Sequence, residues 1–480
     1  CALPIFGNTS EVTRIQPGKE PLNIFDAVAD YPKYQAEQTS HQDGPEHEIA
    51  FVNEQIKPDK VAEYDDLSLL GLRVLAGKDW TSMGQLSAYI KQGIKVERLI
   101  DDNGAAVAAG TLRASTNNFA EIAYNLLTDA RIGAGKRVPS ATVDRDAMTI
   151  AAQFCRANGF TFDGILEDRQ ALRDFISTNA AFNLLDFTII GGRFALKPSV
   201  PYSEATYVID RNRNINDEIK ALFTDGNMKD MQVSFLPPQD RQLFKAAVAY
   251  REEVDNGFSE QKTVRIRFAN TAPYKSPDSA RNDSFKFIKG SDTDPEEFLD
   301  LTSFCTNRNH ASTIAKYKLR VRAHTDHTIS FKTTPSSALA LQAGDYIKVV
   351  SDRTHTSRFN NGSVDASGGI TSTTTLNDGP HDVFFWTPGG TDTKMQEGTM
   401  NVSDGKTGDP SFFKSIFTTV QTDRQARVYR VDSLTIDDEG YVDIVGTHQE
   451  LTIDGTLATL VDRAFTVDDE NLEQFEISED

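Results

Sequence analysis

The stretch Phe160–Pro201, FTFDGILEDRQALRDFISTNAAFNLLDFTIIGGRFALKPSVP, holds one of each element that a mixed fold needs. FTFDGIL alternates Phe160 and Phe162 before a turn, which predicts a strand. EDRQALRDFISTNAAF sets Leu172, Phe175, Ile176 and Ala180 on one helical face. FTIIGGRFALKP is two apolar runs joined by Gly191-Gly192, a hairpin signal, and Pro198 and Pro201 close it. The same stretch carries Asp163, Glu167, Asp168 and Asp174 within twelve residues, so it also raises the question of a catalytic carboxylate pair. Helix chemistry answers it. Glu167 and Asp168 open the helix, where its dipole favours negative charge, and Asp174 points away from the apolar stripe. They read as cap and solvated face.

Upstream, VDRDAMTIAAQFCRANG starts on Asp144 as an N-cap and ends on Gly159 as the residue just past a helix. NFAEIAYNLLT spaces Phe119, Ile122 and Leu126 for a further helix. LSLLGLRVLAG, QLSAYIKQGIKVERLI and NGAAVAAGTLR read as strands. Downstream, DMQVSFLPPQDRQLFKAAVAYREE pairs strand-like runs around Pro237-Pro238. KTVRIRFAN alternates Val264, Ile266 and Phe268 as a half-buried or edge strand. TDPEEFLDLTSFCTNRNHASTIAKYKLRV predicts one long helix, with Asp294 as N-cap, Pro295 at its first position and Glu297 completing a capping box. HTISFKTTP, GDYIKVVSD and the hairpin ARVYRVDSLTIDDEGYVDIVGTHQE predict β structure to the end, closed by an acidic tail.

The chain has 480 residues, enough for several cores rather than one. The expected units are a connecting segment at 1–60, a β-rich part at 61–117 and a helical or α+β domain at 118–202. A β-rich domain at 203–290, a long helical linker at 291–330 and a barrel-like β domain at 331–480 follow. The last carries a polar, loop-like insertion at 353–410. The expected fold class is α+β, β-rich and multidomain. A formal charge of −20 sets the chain against a phosphate backbone, which excludes sequence-specific nucleic-acid binding while allowing DNA to slide past a negative wall. Mean hydropathy is −0.42, and no run of 18 apolar residues occurs. Cys1, Cys155 and Cys305 are too few and too odd in number for a disulfide framework. Cys155 and Cys305 read as small core residues. Cys1 admits a lipid-anchored surface protein, but CALPIFGNTSEV reads like the middle of a protein, with residues missing upstream.

Motifs for chemistry fail one by one. IGAGKR, Ile132 to Arg137, is similar to a phosphate loop, but Ala130 stands where its first Gly belongs and Arg137 where Ser or Thr belongs. HTDH offers His324, Asp326 and His327 in metal-ligand types without metal-site spacing, and on a strand the two histidines would face opposite ways. His41, His47, His310, His355, His381 and His448 are scattered. No GxSxG and no dinucleotide fingerprint occurs. The expectation is no catalytic residue, no cofactor, no metal and no enzyme activity.

The order of segments says more than any motif. YDDLSLLGLRVLAGKDWTSMGQLSAYIKQGIKV, NNFAEIAYNLLTDARIGAGKRVP, VDRDAMTIAAQFCRANGFTFDGILEDRQALRDFI, GGRFALKP, MQVSFLPPQDRQLFKAAVAYREE and TISFKTTPSSALALQAGDYIKV follow one another over about residues 60–350. Collinearly, they resemble the phage tail hub or tip attachment protein J family (lambda-type host specificity protein J). The resemblance implies a virion structural protein at the distal end of a phage tail. Such a hub is a homotrimer whose barrel domains, flanking a helical or α+β domain, close the tail tube. Its partners would be a distal tail or baseplate ring protein, the tape-measure C-terminus, and tail fibre or spike proteins, for host attachment and genome delivery. The chain departs from long family members in lacking a C-terminal array of fibronectin-like modules and in carrying the 353–410 insertion. Trp80, Phe384, Phe385 and Trp386 are then candidates for an assembly interface or for local core. The competing expectation is a tail-tip glycan or cell-wall hydrolase with paired carboxylates.

Overall fold

The computed structural model describes residues 95–130, 133–164, 171–253, 259–269, 290–350, 361–372, 376–388, 395–419, 427–452, 454–461 and 464–470. It also gives the backbone of the strands Ala2–Ile5, Val12–Pro17, Tyr34–Gln38, Ser68–Val74 and Leu86–Ile90. The described chain is β-rich, with several sheets and few helices. Residues 1–60, expected only to connect, supply three strands: Ala2–Ile5 and Tyr34–Gln38 flank Ser68–Val74, and Val12–Pro17 pairs with Leu86–Ile90. Their partners lie far along the chain, so local pattern could not reveal them.

The helical part follows its local signals. Helix α1 (Phe119–Thr128) is capped by Asn118, whose side chain accepts from the Ala120 amide. Helix α2 (Arg145–Ala157) is capped by Asp144 through the Ala147 amide, as expected, and Gly159 turns the chain out at φ +68°. Helix α3 (Leu172–Ala181) buries Phe175, Ile176 and Ala180. Strands Leu185–Ile190 and Arg193–Pro198 then form the expected hairpin. Gly191 and Gly192 sit at φ 56° and 78°, the double left-handed turn that matches strand twist. The strand expected at Phe160–Phe162 does not form. Both rings are buried, but the Phe162 amide donates to the Asn117 carbonyl in a loop and no ladder builds up.

The long helix expected from Asp294 is corrected too. Glu296–Asp300 is a strand, parallel to Lys245–Glu253, in a sheet ordered Glu296–Asp300, Lys245–Glu253, Ser259–Phe268, Phe465–Glu470. Exposure alternates along EEFLD, so a waiting neighbour strand overrides the capping box. Helix α4 (Arg308–His324) starts only at Asn307, whose side chain accepts from the Asn309 and His310 amides. Ser259–Phe268 is an interior strand, and Val264, Ile266 and Phe268 are buried as their alternation requires. One hydrophobic core joins α1, α2, α3 and the hairpin to this sheet and to α4.

A second core fills a six-stranded sheet ordered Ile219–Thr224, Tyr346–Val350, Arg427–Ile436, Val442–Gln449, His327–Thr333, Lys229–Phe235. Its two outermost strands are consecutive in sequence, joined only through Asp225–Met228. Edges tied by so short a turn cannot lie a flat sheet's width apart, so the sheet curls until they meet at that corner. Curling explains why Tyr346–Val350, expected to alternate, is buried at every position: it touches both cores.

The 353–410 region is corrected from a polar loop to a sheet. Ile370–Ser372, Asn361–Val364, Ile416–Thr419, Gly379–Trp386 and Gln396–Val402 lie side by side in that order. Val364, Leu376, Val383, Phe385, Met400, Val402, Phe412 and Phe417 form its own core. Part of the Ser/Thr/Asp-rich composition sits in its strands, as at Ser363, Thr371, Thr399 and Thr418, and part in its turns. Asp365 accepts from the Ser367 and Gly369 amides, and Asp409 from the Ser411 amide. Trp386 reaches into the curled sheet's core, and Lys348 lies 4.0 Å over the Phe384 ring.

Candidate functional site

Four strands of the curled sheet end at one rim, and their registered residues form a lateral row. Phe235 faces His327, His327 faces His448 through the Thr328–Thr447 register, and His448 faces Tyr429. Residues level with one another across a sheet share a face, and Ile329, Phe331, Ile444 and Tyr429 place that face inside the curl. The His327 and His448 rings stack with centroids 4.5 Å apart. Asp326, just before its strand, receives both: one carboxylate oxygen lies 2.6 Å from His327 Nδ1 and 2.9 Å from His448 Nδ1. An ionised carboxylate only accepts, so both Nδ1 atoms donate to it. On the far side of its ring, His327 Nε2 meets the Tyr429 hydroxyl at 2.8 Å and Arg427 Nη1 at 3.4 Å.

Burial alone would raise the pKa of Asp326, but the hydrogen bonds from His327 and His448 outweigh it and hold the carboxyl below the usual range. Burial pushes the His448 imidazolium down, which favours its neutral form. The donor atoms of Asp326, His327 and His448 all lie within 4.8 Å of one another, a set that could hold a metal ion.

The sequence brought forward His324 with Asp326 and His327, and the structure separates them. His324 ends α4 and bonds Glu450 at 2.5 Å, whereas the second histidine of the cluster is His448, one of the scattered ones. Only strand register brings it there, and nothing local announces register between residues so far apart. The opening carboxylates divide similarly. Asp163 accepts from the Thr306 hydroxyl at 2.5 Å, Asp174 is exposed in the first turn of α3, and Glu167 and Asp168 lie outside the described residues. IGAGKR loses Ile132 to the same limit, and Gly133 to Arg137 lie in a turn region after α1.

Glu121 is the carboxylate that sequence reading missed. It is fully buried, accepting from the Leu99 and Ile100 amides at 2.8 and 3.1 Å and from Arg98 Nε at 2.8 Å. It therefore ties α1 to the strand edge and has no capacity left for chemistry. Cys155 and Cys305 are buried, as their helical or apolar settings suggested, and burial pushes the Cys305 thiol up to about 11. Phe385 and Trp386 are core, and Phe384 packs beneath Lys348, whose ammonium burial pushes down to about 8. Trp80 lies outside the described residues. The large apolar side chains that do face solvent include Phe235, Phe298, Leu339 and Ile436. No helix among the described residues is long and apolar enough to cross a membrane.

No protein-family model and no curated protein matches the chain. Among solved structures it is similar to a chain of the virion of a native gene transfer agent particle, at 13% identity and a TM-score of 0.41, covering 94% of this chain and 77% of that one. It is also similar to a tail protein from Neisseria meningitidis MC58, at 8% identity and a TM-score of 0.26, covering 61% of this chain and 59% of that one. A third similarity is to the 43 kDa tail protein of prophage MuSo2 from Shewanella oneidensis, at 9% identity and a TM-score of 0.23, covering 61% and 55%.

Proposed function

We propose that the chain is a structural, non-enzymatic component of a phage-type tail: a hub that closes the distal end of the tube. The observation that carries this reading is the curled six-stranded sheet, whose first and last strands are consecutive in sequence. Such a sheet is the kind of barrel-like unit that the collinear resemblance over about residues 60–350 leads one to expect. The resembling segments add support by packing together. Helices α1, α2 and α3, the glycine hairpin and Lys245–Glu253 share one core, so they act as one body rather than as separate likenesses. On this reading three copies assemble, and the ring protein, the tape-measure C-terminus and fibres or a spike dock around them. The units at 61–117, 118–202, 203–290 and 331–480 would be its parts. The net charge of −20 suits a conduit wall that DNA passes without sticking.

The test is the mass of the purified assembly by light scattering across a concentration series. A stable species at three times 53.1 kDa is expected. A chain that stays at one times that mass at every concentration, and also after addition of its tail ring protein, would sink the hub reading.

A further inference from the structure

We propose that Asp326, His327 and His448 hold a divalent transition-metal ion of the zinc class at the rim of the curled sheet. The ligand types are those such ions take, two imidazoles and one carboxylate. An imidazole nitrogen presents its lone pair in the plane of the ring. Two rings whose Nδ1 atoms lie 2.6 and 2.9 Å from one oxygen therefore have in-plane directions that converge on one place. An ion there takes the place of the two Nδ1 protons, and each neutral ring then carries its single proton on Nε2 instead. Zinc bonds of about 2.0–2.2 Å need the carboxylate to back away by about an ångström, so that the ion sits between it and the two rings.

The surroundings meet the other requirements of a metal site. The Tyr429 hydroxyl stands 2.8 Å from His327 Nε2, where it orients the ring and can accept the Nε2 proton that a metal-bound ring carries. The rim gives an entry path: the side chain of His327 is fully buried, but those of Asp326 and His448 keep 27% and 14% of their exposure. Three protein ligands leave a position for water or for a side chain from a docked partner. Bound there, the ion would fasten His327–Thr333 to Val442–Gln449, across the whole excursion of the chain that holds the five-stranded sheet.

The experiment uses the full chain, stripped with a chelator and titrated with Co²⁺ as a visible-absorption probe, then with Zn²⁺ as competitor. One equivalent of Co²⁺ is expected, with tetrahedral-type absorption that Zn²⁺ removes. Asp326→Asn and His448→Gln should each abolish that absorption, and His381→Ala, at a half-buried histidine elsewhere, should keep it. Tyr429→Phe keeps the ring and loses only the hydroxyl, and should weaken binding by about 10- to 100-fold. If either ligand variant fails to fold, Tyr429→Phe carries the decision, with a Zn²⁺-dependent rise in melting temperature expected to be larger for the unaltered chain than for that variant. No Co²⁺ uptake by the unaltered chain overturns the proposal, leaving a hydrogen-bonded trio. So does one equivalent bound equally by the unaltered chain and the folded ligand or Tyr429 variants. Neither outcome bears on the trimer, so this test and that of the hub reading fail separately.

Discussion

The helical part around α1, α2 and α3 and the five-stranded sheet of 361–419 are opposite kinds of structure. The first is built from contacts near in sequence: caps at Asn118 and Asp144, a two-glycine hairpin, and apolar stripes on three helices. The second has a core of eight buried residues, and its strands are laid down out of chain order. Composition misleads there because a small sheet with a core of its own needs few apolar residues, and the polar residues between them dilute the pattern further. What the difference teaches is that Ser, Thr, Gly and Asp enrichment says nothing about whether a segment's strands are paired.

The contrast can be broken at one fully buried ring in each core. Phe154 and Phe417 are both fully buried, and replacing either with Ala should cost about 3–5 kcal/mol. Phe154→Ala should lower the main thermal transition. Phe417→Ala should instead release the five-stranded sheet on its own, with amide exchange rising across 361–419 while α1 and α2 stay protected. Equal loss of protection in both regions would show that they are one cooperative unit. Next in size, Glu121→Ala takes the acceptor from Arg98 Nε and from two amides and should cost about 3 kcal/mol in chemical denaturation, far beyond any surface carboxylate. A change below 1 kcal/mol would refute its anchoring role.

Smaller effects sharpen the comparison of caps. Asp144→Ala should cost about 1 kcal/mol, whereas Asp294→Ala, which removes only a turn bond from the Ser291 amide, should stay within about 0.5 kcal/mol. Equal losses in urea titrations would restore the helix start that the structure removes. The smallest effect at neutral pH lies at His310. Burial pushes its imidazolium down, and its ring joins the Phe182 carbonyl to the Thr161 amide. The folded protein therefore binds this proton less readily than the unfolded chain. Stability should fall as pH drops below the ordinary histidine range, near 6.5. His310→Gln should flatten that part of the stability–pH curve, and an unchanged slope would remove His310 as its cause.

What could be read from the sequence tracks what is local. Asp144, Gly159, Gly191-Gly192 and the Phe175/Ile176/Ala180 stripe each carry their structural reason within a few residues, and each stands where expected. EEFLD failed because a capping box and a strand partner compete for the same residues, and the partner, Lys245–Glu253, is far away. The imidazole cluster was half legible. Asp326 and His327 drew attention by adjacency, but His448 joins them only through pairing between His327–Thr333 and Val442–Gln449. Glu121 drew no attention, because the Leu99 and Ile100 amides that it accepts from lie far from it in sequence.

Val349 and Arg427 face each other across one rung of the curled sheet, so the chain leaves for the five-stranded sheet and returns at neighbouring points. A passenger whose two ends are already held together by its host can vary in its outer strands and turns with little disturbance to the host, provided that Trp386, which fills the host's core, is kept. Natural variation among related chains should therefore concentrate in this excursion. The rim and the two cores, Trp386 among them, would stay constant while the outer turns of the passenger vary and so diversify one surface.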